Sequence, residues 1–129
     1  MNLQDQAQEF RYCFEVCNSC EAREMQRTLI EEEFKEFLES HDEMFEPIDL
    51  GEDTGEAKAL KELADLVYVC FQYAENMEWD LMTAMERVHE SNMSKLGEDR
   101  KPIRREDGKV LKGPNYKPPY LEDLCHFIC

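Results

Sequence analysis

The stretch that decides the fold is Ala57 to Met77, AKALKELADLVYVCFQYAENM. Its apolar residues cover most of a helix's circumference, which predicts the central, most enclosed helix of an all-α protein. Glu62 and Asp65 interrupt that surface, three residues apart and therefore on one face. A carboxylate enclosed there without a partner is costly, so each needs a cation or a donor beside it, or must be neutral.

Working outward, Ala22 to Ser40 carries Met25, Leu29, Ile30, Phe34, Phe37 and Leu38 among good helix formers, which predicts a second helix on the N-terminal side. Leu3 to Cys20 repeats Phe10, Cys13, Phe14 and Cys17 at spacings of three and four. That is one apolar face of a first helix, with Cys13 and Cys17 suited to burial on it. Between the second and third helices, HDEMFEPIDLGEDTG (His41–Gly55) reads as an acidic loop, with Thr54 placed to cap the helix that follows. Asp80 is a candidate N-cap for a fourth helix, WDLMTAMERVHESNMSKL, in which Leu81, Met85, Val88 and Asn92 form an inward stripe. The expected architecture is a single 129-residue domain: a four-helix bundle over 1–96 and a basic tail over 97–129. Asp107-Gly108 in the tail predicts a two-residue β-hairpin turn.

Charge narrows the function. The chain carries a net −15, which repels nucleic-acid phosphates and anionic membranes. Residues 97–120 alone sum to +3 and the remainder to −18, a basic strap beside an acidic body. No apolar run approaches the roughly twenty residues that span a bilayer, and the N-terminus has no signal-peptide pattern, so a cytoplasmic protein is expected. The six cysteines are then expected as reduced thiols.

On a helical wheel Glu32, Glu33 and Glu36 share a sector with Met25 and Leu29. A solvated charge run is the ordinary account of such a cluster. With Glu62 and Asp65 on the next helix, however, five acids face few inner Lys or Arg. Arginine or a metal can supply the missing charge. A hard divalent cation, Mg²⁺ or Mn²⁺, suits oxygen-only ligands on two facing helices best, and open positions would let substrate phosphates complete its shell. Asn92, pointing inward, and Lys95 one turn later would add an amide and an ammonium.

These motifs, LIEEEFKEF, KELADLVY and SNMSK in order, resemble those of the all-α nucleoside triphosphate pyrophosphatases of the MazG type, relatives of phosphoribosyl-ATP pyrophosphohydrolase and dimeric dUTPase. The tail KPIRREDGKVLKGPNYKPPYLEDL is similar to that of small phage-type members. The resemblance implies hydrolysis of a nucleoside triphosphate between the α and β phosphates. It also implies that Glu32, Glu33, Glu36, Glu62 and Asp65 hold two or more Mg²⁺, with Glu33 or Glu36 accepting the proton of the attacking water. Lys95, Arg100, Lys101, Arg104, Lys109 and Lys112 would neutralise the departing phosphates, although each is equally readable as a solvated surface cation. A homodimer or homotetramer is implied too, and the apolar surface of the first and third helices exceeds what one bundle covers. Phage-encoded shaping of the nucleotide pool fits the tail.

Three other readings compete. Cys17-x-x-Cys20 with Cys125-His126-x-x-Cys129 could bind zinc and make a stapled interaction module. The fold could serve as an idle scaffold, which has no use for five inward acids. Phosphoribosyl-ATP or dUTP could be the substrate; the phosphoribosyl-ATP enzyme matches mainly in the acid motifs and lacks this tail. Phe10, Phe14, Trp79 and Tyr116 are candidates for base recognition, more readily read as core or interface. His41, His89 and His126 show no ligand spacing.

Overall fold

A computed structural model describes residues 1–45 and 54–126. These form four α-helices, α1 (Leu3–Cys13), α2 (Cys20–Met44), α3 (Glu56–Asn76) and α4 (Leu81–Met93), and a short 3₁₀ turn, Glu122–Leu124; no sheet occurs among the described residues. The all-α class is as expected. The chain divides into two compact units, one holding Met1–Trp79 with His126, the other Asp80–Cys125. Composition changes after Leu96, but the structural division falls before α4. Most of the acidic loop expected over His41–Gly55 lies outside the described residues, as does Cys129.

In the first unit, contacts pair positions running in opposite directions. Lys58 meets Glu43 at 3.1 Å, and Asn76 meets Ser19 at 2.9 and 3.1 Å, so α2 and α3 are antiparallel. The first helix packs on α3 as well, where Gln72 donates to the Ala7 carbonyl and Gln8 to Glu75. The third helix is therefore central, as its composition implies. Its buried residues are Ala59, Glu62, Phe71, Gln72, Ala74 and Asn76. The apolar ring around it is not closed, because Leu60, Leu63 and Val67 are 67%, 43% and 40% exposed.

The first helix stops at Cys13, well short of Cys20. Glu15 takes a left-handed φ of 54°, and the Val16 N–H returns to the Arg11 carbonyl at 2.8 Å, a Schellman-type ending. The reversal lets buried Arg11 gather its partners. Its guanidinium donates to the side-chain oxygens of Asn18, Gln72 and Asn76 and to the Cys17 carbonyl. Cys13 and Cys17 consequently lie outside the packed face and are exposed, contrary to the expected burial. Ser19 then caps α2 by accepting the Ala22 N–H at 2.9 Å. This helix runs on to Met44, four residues beyond the expected end at Ser40. At the start of α3 the N-cap is Gly55, at φ 79°, and Thr54 makes a local bond to the Glu56 N–H instead of capping.

In the second unit, Asp80 caps α4 through the Thr83 N–H, as expected. The expected inward stripe is different: Met85 and Asn92 are exposed, whereas Ser91 is buried and donates to the Lys117 carbonyl at 2.7 Å. The tail backbone competes for that face of α4, and a serine hydroxyl satisfies its carbonyl. The tail reversal is real, with an antiparallel bridge between Arg104 and Val110. It is a three-residue loop, not the two-residue turn expected. Arg105 and Lys109 pair across it, the Gly108 N–H closes a turn on the Arg105 carbonyl, and Gly108 sits at φ 89°, which favours glycine.

Asn76 joins all three helices of the first unit, since it accepts from Arg11 of α1 and from Ser19 at the head of α2. Replacing it leaves a buried cation and a backbone N–H short of partners. Asn76→Ala is expected to cost roughly 2–4 kcal/mol in urea unfolding. A loss below about 0.5 kcal/mol would sink this account of the helix registration.

Candidate active site

The seam of α2 that faces α3 is drawn by Gln26, Ile30, Glu33, Phe37 and Ser40, spaced three and four apart, of which Gln26 and Ser40 are buried. Glu33 lies on this seam. Glu32 and Glu36 flank it and are exposed, as is Met25, so the inward sector is rotated by about one residue from the one expected. On α3, Glu62 is 8% exposed and Asp65 is half-buried. Carboxylate oxygens of Glu33, Glu62 and Asp65 all lie within 4.8 Å of one another. Among the described residues this is the one group of three or more such side chains close enough to share a cation.

Antiparallel packing is what assembles the set. Two of the acids share a face of α3 by local spacing, and Glu33 is carried opposite them by the register that Asn76 and Lys58 mark at the two ends of the pair.

The electrostatics are unfavourable as the site stands. Burial raises the Glu33 pKa above its ordinary 4.5, and the adjacent charge of Glu36, a hydrogen bond with Glu36, and the charges of Asp65 and Glu62 raise it further. One oxygen each of Glu33 and Glu62, Oε2 in both, is buried without a hydrogen-bond partner. Lys61 supplies the nearby cation, 2.8 Å from Asp65 Oδ2 and 4.0 Å from Glu62 Oε1, from an exposed position. Orphaned, mutually close carboxylate oxygens fit a hard divalent cation such as Mg²⁺ or Mn²⁺, which accepts oxygen ligands alone and keeps positions open.

The remaining candidates are dispersed. Asn92 and Lys95 belong to the second unit, as do Arg100, Lys101, Arg104, Lys109 and Lys112. Apart from half-buried Lys95 all are exposed, and none forms an ion pair with another described residue. Arg104 bonds the Gly108 carbonyl within its own hairpin, and Lys112 stands 4.8 Å over the Tyr116 ring. Phe10 stacks against Phe14 and Tyr68, and Trp79 lies beside Tyr73. Cys13, Cys17, Cys70 and Cys125 are free, and Cys129 of the zinc reading lies outside the described residues. Lys61 was missed because an i,i+4 Lys–Asp pair on a helix looks like ordinary surface charge.

A helical hairpin with carboxylates converging from both arms defines an all-α protein with an acidic, metal-suited site. The phosphoribosyl-ATP pyrophosphohydrolase family model matches residues 16–92, more than half of the chain, and the chain belongs to that family. It is accordingly a pyrophosphohydrolase of the all-α superfamily that includes the MazG type. The membership falls on the relative that the tail argued against. The matched span contains every acid of the cluster and ends at Asn92, so Lys95 and the tail cations lie beyond it. No curated protein matches the chain.

Because the folded pKa of Glu33 stands above its unfolded value, the native protein binds that proton more tightly than the unfolded chain does. The stabilisation is complete below the ordinary 4.5 and is lost as pH rises through the folded value. Metal-free Glu33→Gln is thus expected to melt higher than wild type at pH 7, by about 2–6 °C. The gain should vanish under acid conditions below about pH 4.5. A variant that melts lower at neutral pH contradicts this.

Proposed function

We propose that the protein hydrolyses ribo- or deoxyribonucleoside triphosphates between the α and β phosphates, releasing a monophosphate and pyrophosphate. The observation that carries the reading is the convergence of Glu33, Glu62 and Asp65 within 4.8 Å, with two of their oxygens buried and unpartnered. A bound Mg²⁺ or Mn²⁺ supplies charge neutralisation for the phosphates and acidifies water to hydroxide. Glu33, Glu62 and Asp65 hold the ion; Glu32 and Glu36, exposed beside them, can contribute to a second. Glu36, hydrogen-bonded to Glu33, takes the proton of the attacking water in this scheme. Asn92, Lys95 and the tail cations Arg100, Lys101, Arg104, Lys109 and Lys112 meet the substrate's polyphosphate, their charge opposing that of the acidic body.

The protein works as a homodimer or homotetramer in this proposal. Among the described residues Phe71 is the one large apolar side chain that is buried, while Leu60, Leu63, Val67, Phe34 and Leu38 stay exposed. So thin a core leaves apolar faces that a second copy would cover. No described helix is long and apolar enough to cross a membrane. A cytoplasmic role in shaping the nucleotide pool, in a phage-infected host, completes the reading.

A second reading rests on the family match itself: phosphoribosyl-ATP as the substrate, with the same bond cleaved. Incubating the protein with Mg²⁺ and each of the eight common triphosphates, and separately with phosphoribosyl-ATP, distinguishes the two. Monophosphate and pyrophosphate from a triphosphate are expected, and Glu62→Gln should lower kcat/KM more than about a hundredfold. Turnover of phosphoribosyl-ATP alone transfers the assignment to the second reading. Release of diphosphate and single phosphate overturns the cleavage point.

A further inference from the structure

Lys61 occupies the place where charge is most contested. Its ammonium is 2.8 Å from Asp65 Oδ2 and 4.0 Å from Glu62 Oε1, and its side chain is 68% exposed on a flexible stem. Glu62 is 8% exposed, and its other oxygen is buried without a partner beside Glu33 and Asp65. A divalent ion bound by Asp65 sits about 2.1 Å from the ligating oxygen. It would therefore stand only a few ångströms from the ammonium, where like charges repel strongly. Both cations would draw on the one carboxylate of Asp65, and each would weaken the other's hold on it. On the facing helix α2, Arg27 is paired with Glu31 at 3.1 Å.

We infer that Lys61 is a tethered counter-ion that holds the metal-free carboxylate cluster together and competes with the divalent metal for Asp65. It thereby sets the metal concentration at which the site fills. The inference rests on the metal-dependent reading above. Lys61 is a positioning residue: it acts through Asp65 and Glu62. Lys58, one turn earlier, is a built-in comparison, since it also carries one positive charge on α3 but spends it on Glu43 at 3.1 Å.

The test is a titration of metal-free protein with Mn²⁺ alone, read by calorimetry and by the free-ion paramagnetic signal, together with thermal melts with and without Mn²⁺. Lys61→Met is expected to bind Mn²⁺ about fivefold more tightly than wild type and to melt lower when metal-free. Lys61→Arg should return both quantities toward wild type. Lys58→Met, with the same change of net charge, should shift Mn²⁺ affinity less than about twofold. Equal shifts in Lys61→Met and Lys58→Met, or weaker binding in Lys61→Met, overturn the role of Lys61 while leaving the metal site intact. Wild-type protein that binds no Mn²⁺, or that binds it equally well as Glu62→Gln, overturns the metal reading and this inference with it.

Discussion

The guanidinium of Arg11 and the amide of Asn76 hold the first unit in register, and the acid cluster depends on that register. Arg11 is 5% exposed and is surrounded by neutral acceptors, so its charge is distributed over amide oxygens of Asn18, Gln72 and Asn76 and one carbonyl. Burial pulls its pKa down, and the nearby Glu75 charge pulls it up. Directional bonds of this kind fix rotation and sliding more tightly than apolar contact does, because a shifted helix leaves buried donors unsatisfied. Apolar burial cannot supply that precision here: among the described residues the buried hydrophobic ones are three alanines and Phe71.

With the register held, α2 and α3 present carboxylates to each other at a distance that is unfavourable without a cation. Glu33 responds by holding its proton more tightly and Lys61 by leaning across Asp65. Neither response satisfies the buried Oε2 atoms of Glu33 and Glu62. A folded chain that keeps like charges this close is storing affinity for something positive, and local destabilisation of this sort is characteristic of functional sites. The stable ends of the helix pair make the strained middle affordable.

The second unit has a different character. Asp80 caps α4, Arg87 engages Asp123 and the Tyr120 carbonyl, and Ser91 and Ser94 take up the Lys117 backbone. Gly113 bonds the Lys95 carbonyl, and an added Cβ there would collide with the Lys95 and Leu96 carbonyl oxygens. The tail is thus fastened to the end of α4 by its backbone, which leaves its Lys and Arg side chains exposed toward solvent.

The sequence by itself determined the four helices, the pairing of Glu62 with Asp65 on one face, the Asp80 cap and the reversal at Gly108. Each of these follows from spacing or backbone preference within a few residues, where the covalent chain alone sets the geometry. The family was legible in the same way from the acids, although the tail directed the choice of relative elsewhere. Tertiary structure alone decided which of Glu32, Glu33 and Glu36 faces α3, because the rotation of a helix about its axis is set by what it packs against. It likewise ended α1 at Cys13, since the partners that draw Arg11 inward, Gln72 and Asn76, lie some sixty residues away in the chain. The same is true of Lys61: its spacing to Asp65 is local, but the significance of that pair comes from Glu33, which only the packing of α2 on α3 brings to it.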